Sequence, residues 1–481
     1  MIAILFFINL FWISNAHSQL FIGTATTDIT PPLPVALLGQ FHLRIAHTVE
    51  SPLTANVVAL ESIGNNTETV IFVSCDLTVI PPSLIKLVRN QISERVTGLD
   101  ANKIILTATH THTAPVLGNE NLVYPIPPEI MQIDTTLKFV AERISTAIEK
   151  AWKTRQPGSV TWGLSYAAIG YNRRSVYGNG VTSLYGGADI PLYRNAEGAE
   201  DHDVNTLFFW NNKNKLIAVN ISIACPAQEV ENRDAINADF WHEARINLRK
   251  RFGKDLCILG WVAAAGDQSP HLIYRKDAEK RMEKLRNVSR MQEIGRRIGL
   301  AVQEAYDVVK GDRHSSVVLQ HVIDTIYLPM RKIGASEYAE AKIQYDNLSA
   351  QIAAQPKKAD TLQAQMLWYQ AAINRFEKQY TNPTIESEIH VIRIGDIVVC
   401  TNPYELFTEY GIRIQGRSKA LQTFVVQLAG ASNYLTTEKA EKNGGYGVIM
   451  QSSLVGAEGG QMLVDHTVEL INKMWDEGRM K

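Results

Sequence analysis

The feature of this chain that most constrains its fold is a change of hydrophobic period, repeated along its length. Val57–Leu60, Thr69–Val73, Lys103–Thr107 and Ala218–Ala224 are short runs rich in Val, Ile and Leu, of strand length. Helical patterns lie between some of them. Pro82–Thr97 has proline early and Leu84, Leu87, Val88 and Ile92 on one face; Thr135–Trp152, Asn237–Arg251 and Arg290–Val309 also read as helices. Strands alternating with helices predict α/β layers. From Ser316 the pattern turns strand-like, SVVLQHVIDTIYLPM and then SEIHVIRIGDIVVCTNP, which predicts a more β-rich portion of the same body.

One segment breaks this rhythm. Tyr338, Ala341, Tyr345, Leu348 and Ile352 follow one another at intervals of three and four. So do Leu362, Met366, Tyr369, Ile373, Phe376 and Tyr380, after a break at Gln355–Asp360. Both are coiled-coil seams, and together they predict an antiparallel helical hairpin over 335–380, inserted between two strands. Such a hairpin can pack on its own chain, line a cleft or join copies into a homo-oligomer.

A chain of 481 residues has room for two to four domains or one large α/β body, at roughly 100–200 residues per domain. Lys and Arg total 48 and Asp and Glu 49, so no basic surplus exists to neutralise a nucleic-acid backbone. The four cysteines are too few for a disulfide scaffold, and Cys75, Cys257 and Cys400 lie in or beside apolar runs, as buried thiols do. Residues 2–13, IAILFFINLFWI, followed by SNAHSQ, predict a signal peptide over 1–18, cleaved near Ala16 to Ser18. Residues 19–481 are then the folded body, secreted or periplasmic. No other stretch reaches about 18 uninterrupted apolar residues, so no transmembrane segment is expected in the mature chain.

Chemistry-bearing residues cluster just after the apolar runs. Thr107-Ala-Thr-His-Thr-His-Thr-Ala-Pro115 ends the strand Lys103–Thr107. In an extended chain His110 and His112 point to the same side, where two imidazoles supply two metal ligands, or one ligand and one acid/base. Ala264-Ala-Gly-Asp-Gln-Ser-Pro270 follows Leu256–Val262 and offers Ser269 as a nucleophile or substrate holder; its plainer reading is a turn. Glu405, in Thr401-Asn-Pro-Tyr-Glu-Leu-Phe407, suits a metal or a helix cap equally. Tyr434, Tyr446 and the compact basic pair in Asn172-Arg173-Arg174 complete the set, with packing or salt bridging as their plain readings.

Taken in order, these strings resemble the neutral, non-lysosomal ceramidase family. The resemblance rests on THTH (109–112), NRR (172–174), GDQSP (266–270), PYELF (403–407) and YLTT with a tyrosine twelve residues later (434–446). Gly23-Thr-Ala-Thr-Thr-Asp-Ile-Thr-Pro31 and Ser51-Pro-Leu-Thr-Ala-Asn-Val-Val-Ala-Leu60 add to it. It implies a ceramidase-like mixed α/β catalytic body and a zinc amidase that cuts an N-acyl bond, with a small amphiphilic or polar N-acyl substrate. It also implies one Zn²⁺ held by His110, Glu405 and Tyr434. His112 would be the general base and then acid, Arg173 and Tyr446 the oxyanion or substrate contacts, and Ser269 the group that orients substrate or water.

The sequence departs from the family in three places. Its second zinc histidine follows an apolar strand, and here Ala218–Ala224 runs into Cys225-Pro-Ala-Gln-Glu229 with no histidine. Cys225 or His242 is expected to take the vacated place, with Gln228 and Glu229 as further candidates. The chain also ends too soon for the family's additional C-terminal β domain, and it carries the 335–380 hairpin. Two rivals follow: a hydrolase of the same fold acting on a glycan-derived or other N-acylated metabolite, and a non-catalytic binding protein with a degenerate zinc site.

Overall fold

A computed structural model describes residues 18–64, 67–118, 125–355 and 359–477. The expected signal peptide lies outside these residues apart from Ser18. Eight strands form one mixed sheet in the order Cys257–Val262, Leu216–Ile223, Asp203–Asn211, Gln156–Tyr166, Gln19–Asp28, Thr54–Ile63, Glu68–Cys75, Ile104–Ala108. The inner pairs are antiparallel and the outermost pair at each edge is parallel. Parallel neighbours require a crossover. Helix Pro82–Arg95 provides one and helix Phe240–Phe252 the other, so each edge of the sheet is a strand–helix–strand unit.

The strands are buried on both faces, which is why they read as continuous apolar runs. Val57, Ala59, Ile71 and Val73 pack under helices Pro82–Arg95 and Ile133–Lys153, against Leu84, Val88, Ile144 and Ile148. The alternate residues Val58, Leu60, Val70 and Phe72 meet Leu207, Phe209, Leu259 and Trp261 from the other half of the same sheet. That half carries Phe208, Val219, Ile221 and Ile258 on its outer face, under helices Phe240–Phe252 and Arg290–Val309. The sheet is therefore folded over on itself between two helix layers. Ser74 Oγ donates to Gly260 O at 2.7 Å across the fold.

A second sheet holds Leu319–Pro329, Thr384–Ile394, Ile397–Thr401 and Gln422–Val426. Ile392, Ile394, Val399 and Phe424 on one face complete the core between the two halves of the large sheet. Val391 and Val398 on the other face lie under helices Thr408–Arg417 and Ala457–Glu477. The expectation of a β-rich second portion is thus corrected: two helices part Leu319–Pro329 from Thr384–Ile394, helix Thr408–Arg417 parts Ile397–Thr401 from Gln422–Val426, and helices Thr408–Arg417 and Ala457–Glu477 cover the face that the core leaves open.

Helices Ala335–Ala354 and Ala359–Lys378 lie between the adjacent strands Leu319–Pro329 and Thr384–Ile394. They run antiparallel, since Tyr338 near the start of the first stacks on Phe376 near the end of the second, ring centroids 4.3 Å apart. Ala341, Ala372 and Ile373 are buried in their seam with Tyr345 and Tyr369 beside them. Tyr380 falls past the end of the second helix and is 75% exposed, so the seam stops short of it. All four cysteines are free and buried. Among the described residues no helix is long and apolar enough to cross a membrane.

Candidate active site

The strand Ile104–Ala108 ends two residues before His110, and the chain does not continue extended there. His110 has φ 67°, a left-handed conformation that costs a non-glycine residue about 1 kcal/mol. The backbone holds it in place: its N–H donates to Leu77 O at 2.9 Å, and its ring Nδ1 lies 2.6 Å from Thr78 O. The two imidazoles thus converge through a turn rather than through the pleat expected from the sequence. Their rings meet edge to face at 4.7 Å, and the two Nε2 atoms stand 3.3 Å apart. Gly39 makes room for this: its φ is 112°, and a Cβ there would lie 2.5 Å from His112 Cγ.

Glu405 and Tyr434 come from two short strands, Glu405–Leu406 and Tyr434–Leu435, paired in parallel with Glu405 directly beside Tyr434. The pairing sets a carboxylate next to a phenol at the edge of the histidine pair. Glu405 Oε2 is 3.5 Å from His110 Nε2. Burial pushes the Glu405 carboxyl up, but His110 and Arg173 outweigh it and hold the group below its ordinary range.

Arg173 is 2% exposed and links the parts. Its Nη2 donates to Gly266 O at 2.9 Å and to Tyr434 OH at 3.1 Å. Its Nη1 donates to Tyr185 OH at 2.9 Å and to Gln228 Oε1 at 3.2 Å. Arg174 pairs with Glu197 and donates to Gly444 O at 2.6 Å and Tyr446 O at 2.9 Å, which anchors the loop carrying Tyr446. The Tyr446 ring lies 5.8 Å from that of Tyr434.

The structure does not bring Cys225 or His242 to this group. The Cys225 thiol faces the carbonyls of Ile169 and Pro226 at 3.6 and 3.7 Å, and burial pushes it far up, so it stays protonated. His242 is half-buried on the first turn of its helix; its charged neighbours are Glu243, Arg245, Asp76 and Arg249. Of the four candidates only Gln228 touches the histidine pair. Arg173 claims its oxygen, so its amide N–H is left to donate to His112 Nε2, 2.8 Å away. Glu229 faces His271, at 3.9 Å, rather than the histidine pair. Ser269 is fully buried but does not touch the histidine pair directly. Its Oγ accepts from His271 N–H at 3.1 Å and shares a hydrogen bond with Tyr185, which ties it to Arg173. No imidazole is among its partners.

The residues the sequence reading missed are Tyr185, Glu231 and Gly39. Tyr185 sits in the Gly/Tyr-rich loop after Arg174. Glu231 Oε2 stands 3.5 Å from His112 Nδ1 and its Oε1 3.2 Å from His271 Nε2.

The donors fit a zinc ion in part. His110 presents Nε2 because Thr78 O occupies Nδ1, an arrangement typical of ligating histidines. The 3.5 Å between its Nε2 and Glu405 Oε2 is close to the roughly 3.4 Å edge of a tetrahedron with bonds of about 2.0–2.1 Å, whereas His112 Nε2 is taken by the Gln228 amide. Among the described residues no three His, Cys, Asp or Glu side chains group as a metal site; the third donor beside His110 and Glu405 is the phenol of Tyr434.

No family model matches the chain, and no curated protein does. Solved structures do. The neutral ceramidase from Pseudomonas aeruginosa is similar over 95% of this chain and 75% of its own, with a TM-score of 0.65 and 17% identity. A ceramidase complexed with C2 is similar over 95% of this chain and 76% of its own, with a TM-score of 0.65 and 16% identity. The chain has the ceramidase fold.

Proposed function

We propose that the chain is an exported zinc-dependent hydrolase that cleaves an N-acyl amide bond in a small amphiphilic or polar substrate. One observation carries this reading: His110, His112, Arg173, Glu405 and Tyr434, drawn from four separate segments, form one buried group of contacts. His110, Glu405 and Tyr434 would hold the ion. When bound, zinc polarises a carbonyl and makes a water acidic enough to attack near neutral pH.

The protein's own groups supply the rest. Burial, reinforced by His110, Arg44 and Arg173, holds His112 well below the usual histidine range, so the ring is neutral, and its Nε2 is the acceptor side that would take the proton. Its Nε2 receives the Gln228 amide, which a water or substrate must displace. Burial raises the Tyr446 phenol, which stays protonated as a donor. Arg173 keeps its charge at every working pH. These two groups are suited to the oxyanion that forms as the amide carbonyl is attacked. Ser269 acts at one remove, through Tyr185, by positioning Arg173.

The test is zinc content together with hydrolysis of a panel of N-acyl amides by the purified chain. His110→Ala and Glu405→Gln are expected to lose both. A wild-type chain that binds zinc but cleaves no amide would sink the amidase reading.

A further inference from the structure

The inserted hairpin reaches the site. Trp368, on helix Ala359–Lys378, points away from the seam. Its ring lies 6.1 Å from that of Tyr446 and 5.4 Å from that of Phe41, while Phe41 meets Tyr446 edge-on at 5.9 Å. Three rings from three distant segments thus stand together, and Tyr446 joins them to Tyr434 and the buried group. Phe41 is 52% exposed, so the cluster opens to solvent.

Three polar side chains near Phe41 and Tyr446 in the chain or bonded to them are engaged with backbone carbonyls. Gln40 Nε2 donates to Glu231 O at 3.3 Å. Arg44 donates to the carbonyls of Glu231, Arg233, Leu38 and His112, and Arg174 to those of Gly444 and Tyr446. A sugar or charged head group would find ring faces here but few open donors. On the opposite side of Tyr434 the surroundings are polar: Arg173, Tyr185 and Gln228.

We infer that Phe41, Trp368 and Tyr446 form a subsite for a bulky apolar acyl group, with the polar amine part directed to the Arg173 side. Trp368 of the hairpin is then a specificity-determining residue. Aromatic walls of this kind bind alkyl chains by area and aryl groups by edge-to-face contact. The inference rests on the amidase reading above.

The experiment compares acetyl, octanoyl and phenylacetyl amides of one fluorogenic amine, with the purified full-length chain. The readout is the preference, the ratio of kcat/KM for each bulky amide to that for the acetyl amide. Trp368→Ala is expected to lower the preference about tenfold, Trp368→Phe to restore part of it, and Phe41→Ala to lower it as well. Tyr380→Ala, on the same hairpin but exposed, should leave it unchanged. The octanoyl and phenylacetyl arms tell an alkyl from an aryl occupant. Equal loss on all three amides, or no loss, overturns the subsite. If Trp368→Ala does not fold, Phe41→Ala decides, because its ring is at the surface. If the wild-type chain hydrolyses none of the amides, the amidase reading has failed, and calorimetric binding of the same amides judges the subsite alone. Tighter binding of the bulky amides that Phe41→Ala abolishes supports it; equal binding of all three overturns it.

Discussion

Arg173 Nη2 donates to the phenolic oxygen of Tyr434 across 261 positions of sequence, at 3.1 Å, and the same guanidinium holds Gly266 O, Tyr185 OH and Gln228 Oε1. A planar fork with five donors can serve four acceptors in different directions, and a lysine ammonium cannot. Arg173→Lys should therefore lower kcat/KM by roughly a hundredfold, about 2.7 kcal/mol, through acceptors left unpaired and Gln228 freed to rotate. Kinetics with a melting curve check this, and a variant that keeps wild-type kcat/KM contradicts it.

Gly39→Ala tests the packing over His112. The new methyl would meet the imidazole at 2.5 Å from a backbone already at φ 112°. Loop and ring must separate, so activity should fall by at least tenfold, with a drop in melting temperature. A crystal structure of the variant with His112 unmoved would refute the account.

Acid should destabilise the fold through its buried histidines. Burial drives His321 down to about 2 and lowers His390, its partner at 2.9 Å, and His112. Each binds its proton more weakly in the folded chain than in the unfolded one. Stability from these groups is complete above the unfolded value near 6.5 and declines as pH falls below it. His321→Asn should make the dependence of unfolding free energy on pH, between pH 6 and 4, shallower by up to about 1.4 kcal/mol per unit. Denaturant titrations at a series of pH values measure the slope.

Glu229 carries the opposite sign. Burial raises its carboxyl to about 7, with Asp239 adding to the rise against the pull of His271 and Arg290. Its charged form is disfavoured in the folded chain, so this group costs stability above pH 7 and ceases to as pH falls toward the unfolded value near 4.3. Glu229→Gln should raise the melting temperature at pH 8, raise it less at pH 5, and leave it nearly unchanged at pH 4. An equal shift at pH 8 and pH 4 would show that packing, not charge, governs the site.

Much of the fold could be read in advance, because the edge strands and their crossover helices carry strong local patterns. Helix Arg290–Val309 matches its predicted range, and the 3/4 spacing of the hairpin reappears as its apolar seam. The antiparallel centre of the sheet was hidden: Gln156–Tyr166 and Asp203–Asn211 mix Gly, Ser, Asn and Thr with apolar residues, and only their neighbours make them strands. At the site, residue types and order were visible, whereas partners were not. That Gln228 reaches His112 depends on Arg173 claiming its oxygen, a contact between three segments. That His110 is left-handed depends on Leu77 and Thr78, in the bend that follows strand Glu68–Cys75. Trp368 had a local signal, a large aromatic residue off the seam, but nothing in the sequence says what it faces.

The hairpin departs from the sheet after Pro329 and returns at Thr384, two residues that sit opposite each other on one rung of the ladder. The detour is closed at its base, and its length and composition place no demand on the register on either side. The ladder therefore sets only where the cassette bearing Trp368 begins and ends; what holds the cassette over the site is its own contact with the body, through Arg375 to Ser453 O and Trp368 to Tyr446.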